Sequence, residues 1–369
     1  MKKALLLFGC AIILSCMQET SPVETIDVER GIDFKRNIDF IELAKDISFV
    51  AFENSGKQSL IGDIYLLKEH GNSYYICTNN TIMSFNKQGK YQRQYGLPGR
   101  GPQEYVGYIS DFDIKNGNIY IIANKKIQCY DTLNTFRFRD SVNFTQISIL
   151  NNNIIGVVTP SDVICSDNHD IVKIYNDKIK EIGSISIKGS NDSILTDVKQ
   201  FLAFQPFSDD GCSGLYIKEF LRDTVYNITS DFKIVPRIVL KMGKYKFPIE
   251  MYDFDKMDKW NDYYIVNNMF NAKKHIILSL QNGLMGKMQY LIYDKESKDC
   301  FTPTDQYGNQ GFYIDGVKFK PMYIRNNRIV GYINPENIID QENVKLKELQ
   351  IIRNGIELES NPILVIISL

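Results

Sequence analysis

Residues 73–85 read SYYICTNNTIMSF, and residues 118–130 read NIYIIANKKIQCY. Each stretch holds two short runs rich in β-branched and aromatic residues around a polar turn, which is typical of a β-hairpin. The second stretch follows the first at an offset of 45 residues, and Tyr175 continues the spacing set by Phe85 and Tyr130. A period of roughly 40–50 residues with about four strands per unit predicts the blades of a β-propeller.

Weaker copies of the signature extend the repeat towards the C-terminus. They fall at residues 225–227, 292–295 and 351–355, which gives six units, and the wider spacing before 292–295 places an insertion around residues 245–265. Neighbouring sheets must pack on each other, because one four-stranded sheet cannot cover both of its faces. The sequence therefore predicts an all-β fold, a six-bladed β-propeller with four-stranded antiparallel blades over residues 46–369.

A propeller has to close its ring, and the two chain ends offer strands for this purpose. Residues 363–369 form an apolar run after Pro362, and residues 47–52 precede the first full unit. Proline is tolerated at the start of a strand. We expect both runs to lie in the sixth blade and to join the chain ends in one sheet.

The N-terminus has the pattern of an export signal. Lys2 and Lys3 precede an apolar run over residues 4–14, which is too short to span a membrane as a helix. Ser15 and Cys16 then resemble the lipobox of bacterial lipoproteins, and this resemblance implies lipid attachment to Cys16 after cleavage. Residues 1–15 are thus predicted as a lipoprotein signal peptide and residues 16–45 as a lipid-anchored tether, which makes the membrane the first expected partner.

Charge and cysteine usage argue against several classes of protein. With 43 Lys and Arg against 44 Asp and Glu, the net charge of −1 does not suit a nucleic-acid binder. The five cysteines after Cys16 include no C-x-x-C pair, so we expect small buried side chains rather than a redox or zinc site. A calcium loop around residues 253–264 fails because Asp258 occupies the glycine position, so calcium has no motif support and no cofactor or metal site is predicted.

A Gly-rich loop carries the most specific family resemblance. Residues 96–105 read GLPGRGPQEY, and they occur together with the RDTVY turn at 222–226 and an Asn361-Pro362 ending. In these features the whole chain resembles the six-bladed β-propeller lipoproteins of Bacteroides-type bacteria. The resemblance implies a location in the bacterial cell envelope, with a lipid anchor in a membrane and the outer membrane as the expected one. It implies no reaction and no catalytic residues.

Two classes of function stay open on the sequence alone. No phosphate-binding loop, nucleophile elbow or metal-spaced histidine pair occurs in the chain, which favours a non-catalytic module that binds a glycan, peptide or partner protein. The alternative is a propeller enzyme, such as a lyase, lactonase or hydrolase, that uses acidic residues at the central channel. Converging acids around one ion would favour the enzyme.

The candidate binding residues lie in the insertion and in the Gly-rich loop. The stretch 248–270 holds Trp260, Tyr263, Tyr264 and Asp258. Helical spacing relates Phe254, Met257, Asn261 and Tyr264. One interpretation is a short helix whose aromatic face is buried against blades four and five. The other is that Trp260 and one of the two tyrosines form an exposed platform for a ligand. Arg100 in the Gly-rich loop either belongs to a connection between blades or contributes to binding.

Overall fold

The computed structural model describes residues 23–54, 56–158, 168–188, 205–207, 214–218, 222–248, 251, 254–283 and 286–369. Their strands form six small sheets arranged as a six-bladed β-propeller, as the 45-residue period predicts. Within these ranges, none of the helices has the length and apolar character needed to cross a membrane.

The described chain begins with an N-terminal segment whose strands pair with strands of blades 4, 5 and 6. It comprises β1 (Glu24–Asp27), α1 (Val28–Asp33), β2 (Lys35–Asn37) and β3 (Asp46–Ala51). Blade 1 then contains β4 (Leu66–His70), β5 (Ser73–Thr78), β6 (Thr81–Asn86) and β7 (Tyr91–Tyr95). Blade 2 contains β8 (Ile109–Lys115), β9 (Asn118–Ala123), β10 (Lys126–Asp131) and β11 (Phe136–Ser141). Blade 3 contains β12 (Phe144–Leu150), β13 (Asn153–Val158), β14 (Asn168–Tyr175) and β15 (Glu181–Lys188).

Each of the last three blades receives one strand from the N-terminal segment. Blade 4 contains β16 (Gln205–Phe207), β17 (Leu215–Lys218), β18 (Thr224–Ile228), β19 (Ile234–Lys241) and β1. Blade 5 contains β20 (Tyr264–Asn271), β21 (His275–Asn282), β22 (Met288–Asp294), β23 (Cys300–Thr304) and β2. Blade 6 contains β24 (Phe312–Ile314), β25 (Val317–Arg325), β26 (Arg328–Ile333), β27 (Ile363–Ser368) and β3. The helices α2 (Pro335–Ile339) and α3 (Lys347–Gly355) separate β26 from β27.

The predicted closure of the ring is confirmed in blade 6. The strand β27 pairs antiparallel with β26 on one side and with β3 on the other, so that Ile363 lies opposite Ala51 and Ser368 opposite Asp46. The backbone amide of Lys45 also donates to the carbonyl of Ser368 at 2.8 Å. A strand from the N-terminal segment thus completes a sheet built from the C-terminus.

Residues 24–45 belong to the folded body, which corrects the tether predicted there. Both β1 and β2 pair in parallel with the outer strands of blades 4 and 5, and Ile26, Val28 and Phe40 are buried. The sequence does not indicate these two strands clearly, because an outermost strand buries only some of its side chains and exposed charged residues surround the buried ones. The signal peptide 1–15, Cys16 and the rest of the tether up to residue 22 lie outside the described residues.

The repeat has a local physical cause at the end of the third strand of a blade. In blade 2, Tyr130 is buried, and the side chain of the next residue, Asp131, accepts hydrogen bonds from the amides of Leu133 (2.9 Å) and Thr135 (2.8 Å). Equivalent bonds are accepted by Asn86 in blade 1 and by Asn176 in blade 3. A buried aromatic followed by such a turn residue produces the 45-residue period.

Two of the weaker copies are placed differently by the structure. In blade 4 the turn residue is Thr229, whose hydroxyl accepts from the amide of Lys233 at 3.1 Å, so Ile228 and not Tyr226 takes the aromatic position. The last copy, at residues 351–355, is wrong because these residues belong to α3. The helices α2 and α3 are inserted before the third strand of blade 6, which is therefore β27. A fixed period in the sequence cannot predict the length of such an insertion.

The apolar core lies between neighbouring blades. One cluster joins Ile76 and Phe85 of blade 1 to Val330 and Leu364 of blade 6. Three of the cysteines, Cys77, Cys129 and Cys300, are free and buried, as expected of small apolar side chains. Burial raises the pKa of the Cys77 thiol to about 12 and that of Cys129 to about 11. Cys165 and Cys212 lie outside the described residues.

Candidate functional site

The blades surround a central cavity of about 630 Å³. One strand from each of five blades forms most of the wall, namely β4, β8, β12, β20 and β25. Blade 4 contributes Leu215. The wall combines ionic, amide and aromatic side chains, among them Lys68, Asp111, Asp113, Gln146, Asn268 and Tyr323. A concave site of this size and mixed chemistry is typical of a binding pocket for a small ligand.

Bulges in the inner strands direct polar groups to this cavity. The pairing register shifts between Ile109 and Asp111 in β8, and corresponding shifts precede Gln146 in β12, Asn268 in β20 and Tyr323 in β25. The residue after each shift lines the cavity. A bulge adds one unpaired residue and changes the direction of the side chains that follow it. The same backbone device thus recurs on several sides of one cavity.

A buried ionic cluster joins the first three blades at the cavity wall. The ammonium group of Lys68 in blade 1 lies 3.3 Å from Asp113 Oδ2 and 3.7 Å from Asp111 Oδ1. Asp111 also accepts hydrogen bonds from the amides of Phe112 at 2.8 Å and of Ile147, in blade 3, at 2.9 Å. The cluster therefore fixes the relative positions of three inner strands.

The charges of this cluster are unbalanced, since two carboxylates face one ammonium group. Burial lowers the pKa of Lys68 and the two carboxylates raise it, with a net upward shift. Burial raises the pKa of Asp111, more than the attraction of Lys68 lowers it. As the pH falls, Asp111 accordingly takes up a proton earlier than an ordinary aspartate does.

A second ionic cluster, around Glu69, lies at the junction of blades 1 and 6. The carboxylate of Glu69 accepts hydrogen bonds from Lys87, from Arg328 at 3.3 Å and from the Tyr323 hydroxyl at 3.4 Å. Burial raises the pKa of Glu69, but the hydrogen bonds and charges of Lys87 and Arg328 lower it further, so the net shift is downward. Glu69, like Asp111, is thus engaged in holding blades together.

The described residues contain no group of three or more His, Cys, Asp or Glu side chains that could hold a metal ion.

Trp260 lies in a small core and not on the surface. Its side chain is 3% exposed, and its indole N–H donates to the carbonyl of Met251 at 2.7 Å. It packs with Phe247 and Ile265, and the ring centroids of Phe247 and Trp260 are 6.1 Å apart. The burial interpretation of the insertion is thus observed for Trp260. The helix over Phe254–Asp262 is a 3₁₀ helix.

Among the remaining predicted site residues, Tyr263, Tyr264 and Arg100 have described side chains, and these three do not come together around one ligand site. Tyr263 is half-buried against Phe247, and Tyr264 is half-buried as the first residue of β20. Neither lines the central cavity, and the side chain of Asp258 lies outside the described residues. Arg100 is exposed in the Gly-rich loop, away from the cavity lining.

The Gly-rich loop is the connection between blades 1 and 2. The amide of Gly101 donates to the Glu104 carboxylate at 2.7 Å, and the hydroxyl of Tyr130 donates to the carbonyl of Gln103 at 2.6 Å. A Cβ at Gly99 would lie 2.0 Å from Glu104 Oε2, so a larger residue there would displace the carboxylate that accepts from Gly101. The loop therefore has a structural role that accounts for its composition.

Sequence reasoning missed the cavity residues, although one signal was present. The stretch Asp111-Phe112-Asp113 places two carboxylates on either side of a buried aromatic residue in β8. Charged residues in a buried run indicate a partner or a function, because an unpaired buried charge is costly. The partner, Lys68, lies in another blade, so its position could not be read from the sequence.

The family of the protein follows from comparison with known proteins. Residues 23–368 match the family model described as a domain of unknown function, DUF4934. The chain belongs to this family. The match covers the N-terminal segment together with all six blades, which agrees with the burial of β1 and β2. No curated protein matches the chain.

The chain is similar to solved structures, and the first of them supports the fold. The protein named "Putative exported protein" from Bacteroides fragilis NCTC 9343 is 15% identical, with a TM-score of 0.64, and the alignment covers 94% of this chain and 99% of that one. A member of the DUF4221 family from Bacteroides vulgatus ATCC 8482 is 10% identical, with a TM-score of 0.49, over 88% and 96% of the two chains. The DUF4934 match and the Bacteroides fragilis structure support the coarse resemblance to propeller proteins of Bacteroides-type bacteria.

Proposed function

We propose that this DUF4934 protein is a binding module of the bacterial cell envelope and that the central cavity is its binding site. The observation that carries the proposal is the set of bulges that direct Asp111, Gln146, Asn268 and Tyr323 to one cavity of about 630 Å³. The bulges of β8 and β25 also serve contacts between blades, through Asp111 and Tyr323, whereas those of β12 and β20 bring the amides of Gln146 and Asn268 to the cavity wall. The ligand is a glycan, a peptide or a segment of a partner protein.

Binding is favoured over catalysis because the cavity carboxylates are already engaged in ion pairs and hydrogen bonds. Asp111 is held by Lys68 and two backbone amides, and Glu69 is held by Lys87 and Arg328. General acid–base catalysis needs a carboxyl group that can reach a substrate proton and exchange it. Groups committed to ion pairs between blades are poorly placed for this, whereas amide and aromatic side chains suit recognition.

Export and lipid anchoring are part of the proposal. They are supported by the lipobox-like Ser15-Cys16 sequence and by the exported status in the name of the Bacteroides fragilis relative. In a bacterial host, the wild-type protein should partition into the detergent phase and the membrane fraction. A Cys16→Ala variant should lose both properties, and a variant that stays membrane-bound would refute the lipid anchor.

The binding site is tested with the mature chain, produced without residues 1–15 and with Cys16→Ser to prevent lipidation. A thermal-shift screen of glycans and peptides identifies a ligand, and titration calorimetry then compares variants. Gln146→Ala and Asn268→Ala should weaken binding by about tenfold each, since each removes a hydrogen-bonding amide from the cavity. Asn354→Ala, which removes an exposed amide from α3, is the matched control. Equal affinity in all four proteins would refute the cavity as the site.

A further inference from the structure

Exposed aromatic and apolar side chains lie where the chain enters the inner strands of blades 1 and 2, which are neighbouring blades. Tyr65, directly before β4, is 60% exposed, and Tyr108, directly before β8, is 86% exposed. Val106, in the same loop as Tyr108, is 51% exposed. We call Tyr65, Val106 and Tyr108 the aromatic rim. Exposed apolar side chains grouped in this way mark interaction sites more often than single exposed residues do.

The loops that carry the rim are anchored to the turn of blade 1. The side chain of Asn80 donates to the carbonyl of Gly107 at 2.7 Å and accepts from the amide of Ile109 at 2.6 Å. The backbone carbonyl of Asn80 accepts from the Tyr105 hydroxyl at 2.6 Å. On the side of Tyr65, its backbone amide donates to the carbonyl of Cys77 in β5 at 3.0 Å. The tyrosines thus project from a backbone that is fixed before any ligand arrives.

The aromatic rim is continuous with the central cavity. Tyr65 itself lines the cavity, as does Ser110, which lies two residues after Tyr108. Farther along the wall, the amides of Gln146, Asn267 and Asn268 follow. A ligand that contacts the rim can therefore extend into the cavity, so that its exposed end meets aromatic rings and its enclosed end meets amides.

The chemistry of this path indicates the class of ligand. The carboxylates of the wall are already engaged, since Asp111 and Asp113 face Lys68 and Glu69 is held by Lys87 and Arg328, so an uncharged ligand need not compete for them. Amide side chains donate and accept hydrogen bonds at once, as sugar hydroxyls do. Tyrosine rings offer flat apolar faces with little loss of conformational freedom on binding.

We infer that the aromatic rim and the central cavity together bind a neutral saccharide chain. Tyr65 and Tyr108 stack on sugar rings, and the amides of Gln146 and Asn268 hydrogen-bond the hydroxyl groups. This inference rests on the proposed function, since it names the ligand class of the same cavity and adds the rim as its outer part.

The test uses the mature Cys16→Ser chain and neutral hexasaccharides of glucose, mannose, xylose and N-acetylglucosamine, with affinity measured by calorimetry. Tyr65→Ala and Tyr108→Ala should each weaken binding of the recognised hexasaccharide by about tenfold. Tyr65→Phe should retain binding, because stacking needs the ring and not the hydroxyl. Tyr307→Ala, which removes a tyrosine that is 80% exposed and does not line the cavity, is the matched control and should change nothing.

The outcomes separate this inference from the proposed function. If Gln146→Ala and Asn268→Ala weaken saccharide binding while the rim variants do not, the rim is refuted and the cavity stands. If none of the hexasaccharides binds but a peptide does so through the cavity amides, the saccharide assignment is refuted and the binding module stands. If Tyr307→Ala weakens binding as much as Tyr65→Ala does, the rim has no special role and the inference is overturned.

Discussion

Replacement of the sole tryptophan tests whether the insertion before blade 5 is part of the core. Trp260 is 3% exposed, donates a hydrogen bond to Met251 and packs with Phe247 and Ile265. Phe247 follows blade 4, and Ile265 lies in the first strand of blade 5. The indole therefore ties the 3₁₀ helix to two blades, and its removal should affect the stability of the propeller itself.

The expected magnitude follows from burial. Removing a buried Trp side chain costs about 3–5 kcal/mol through lost transfer free energy and the cavity left behind. The carbonyl of Met251 loses its donor, but Met251 is half-buried, so water can replace part of that bond. At about 2 °C per kcal/mol, the low end for large domains, Trp260→Ala should lower the melting temperature by roughly 6–10 °C.

Circular dichroism measures this melting temperature in the mature Cys16→Ser chain. Trp260→Phe, which keeps an aromatic ring and loses the N–H group, should fall between the wild type and Trp260→Ala. Tyr307→Ala removes an aromatic side chain that is 80% exposed and should shift the melting temperature by less than about 1 °C. In the wild type, the fluorescence of Trp260 reports on the insertion alone, and its midpoint should coincide with that of circular dichroism.

A Trp260→Ala protein that melts like the wild type would show that the buried indole does not stabilise the propeller. A fluorescence transition well below the circular dichroism midpoint would show instead that the insertion unfolds separately. In that case the cluster of Trp260, Phe247 and Ile265 would not couple the insertion to blades 4 and 5, and the magnitude above would not apply.

Three further predictions concern the propeller body. Deleting residues 363–369 removes the strand between β26 and β3, so cooperative thermal unfolding should be lost; unchanged melting would contradict the closure. Gly156→Ala should destabilise the fold by about 1–3 kcal/mol in urea unfolding, because its Cβ would lie 2.4 Å from Phe144 Cδ1, whereas Gly355→Ala has open space and should be neutral. The pKa of Glu69 lies below its ordinary value of 4.5, so its carboxylate stabilises the fold above that pH, and this contribution is lost as the pH falls through the folded-state pKa. Glu69→Gln should thus melt lower at neutral pH and lose less stability on acidification, and parallel pH profiles would contradict this.

The sequence by itself determined the repeat and the closure of this protein. A buried aromatic such as Tyr130, followed by a turn residue such as Asp131, is a local arrangement whose hydrogen bonds reach only four residues ahead. Each blade can form this arrangement from its own residues alone. The arrangement therefore recurs as a period that is visible in the sequence. The apolar run at 363–369 is equally local, since a buried central strand needs apolar side chains along its length.

Only the tertiary structure decided the candidate site and the role of the N-terminal segment. Lys68 and Asp111 meet because two blades pack side by side, and β1 reaches blade 4 across most of the chain. Trp260 looks the same in the sequence whether it is buried or exposed, because an aromatic ring serves a core and a ligand platform equally well. Burial and charge pairing depend on which surfaces the closed ring brings together, and no local pattern contains that information.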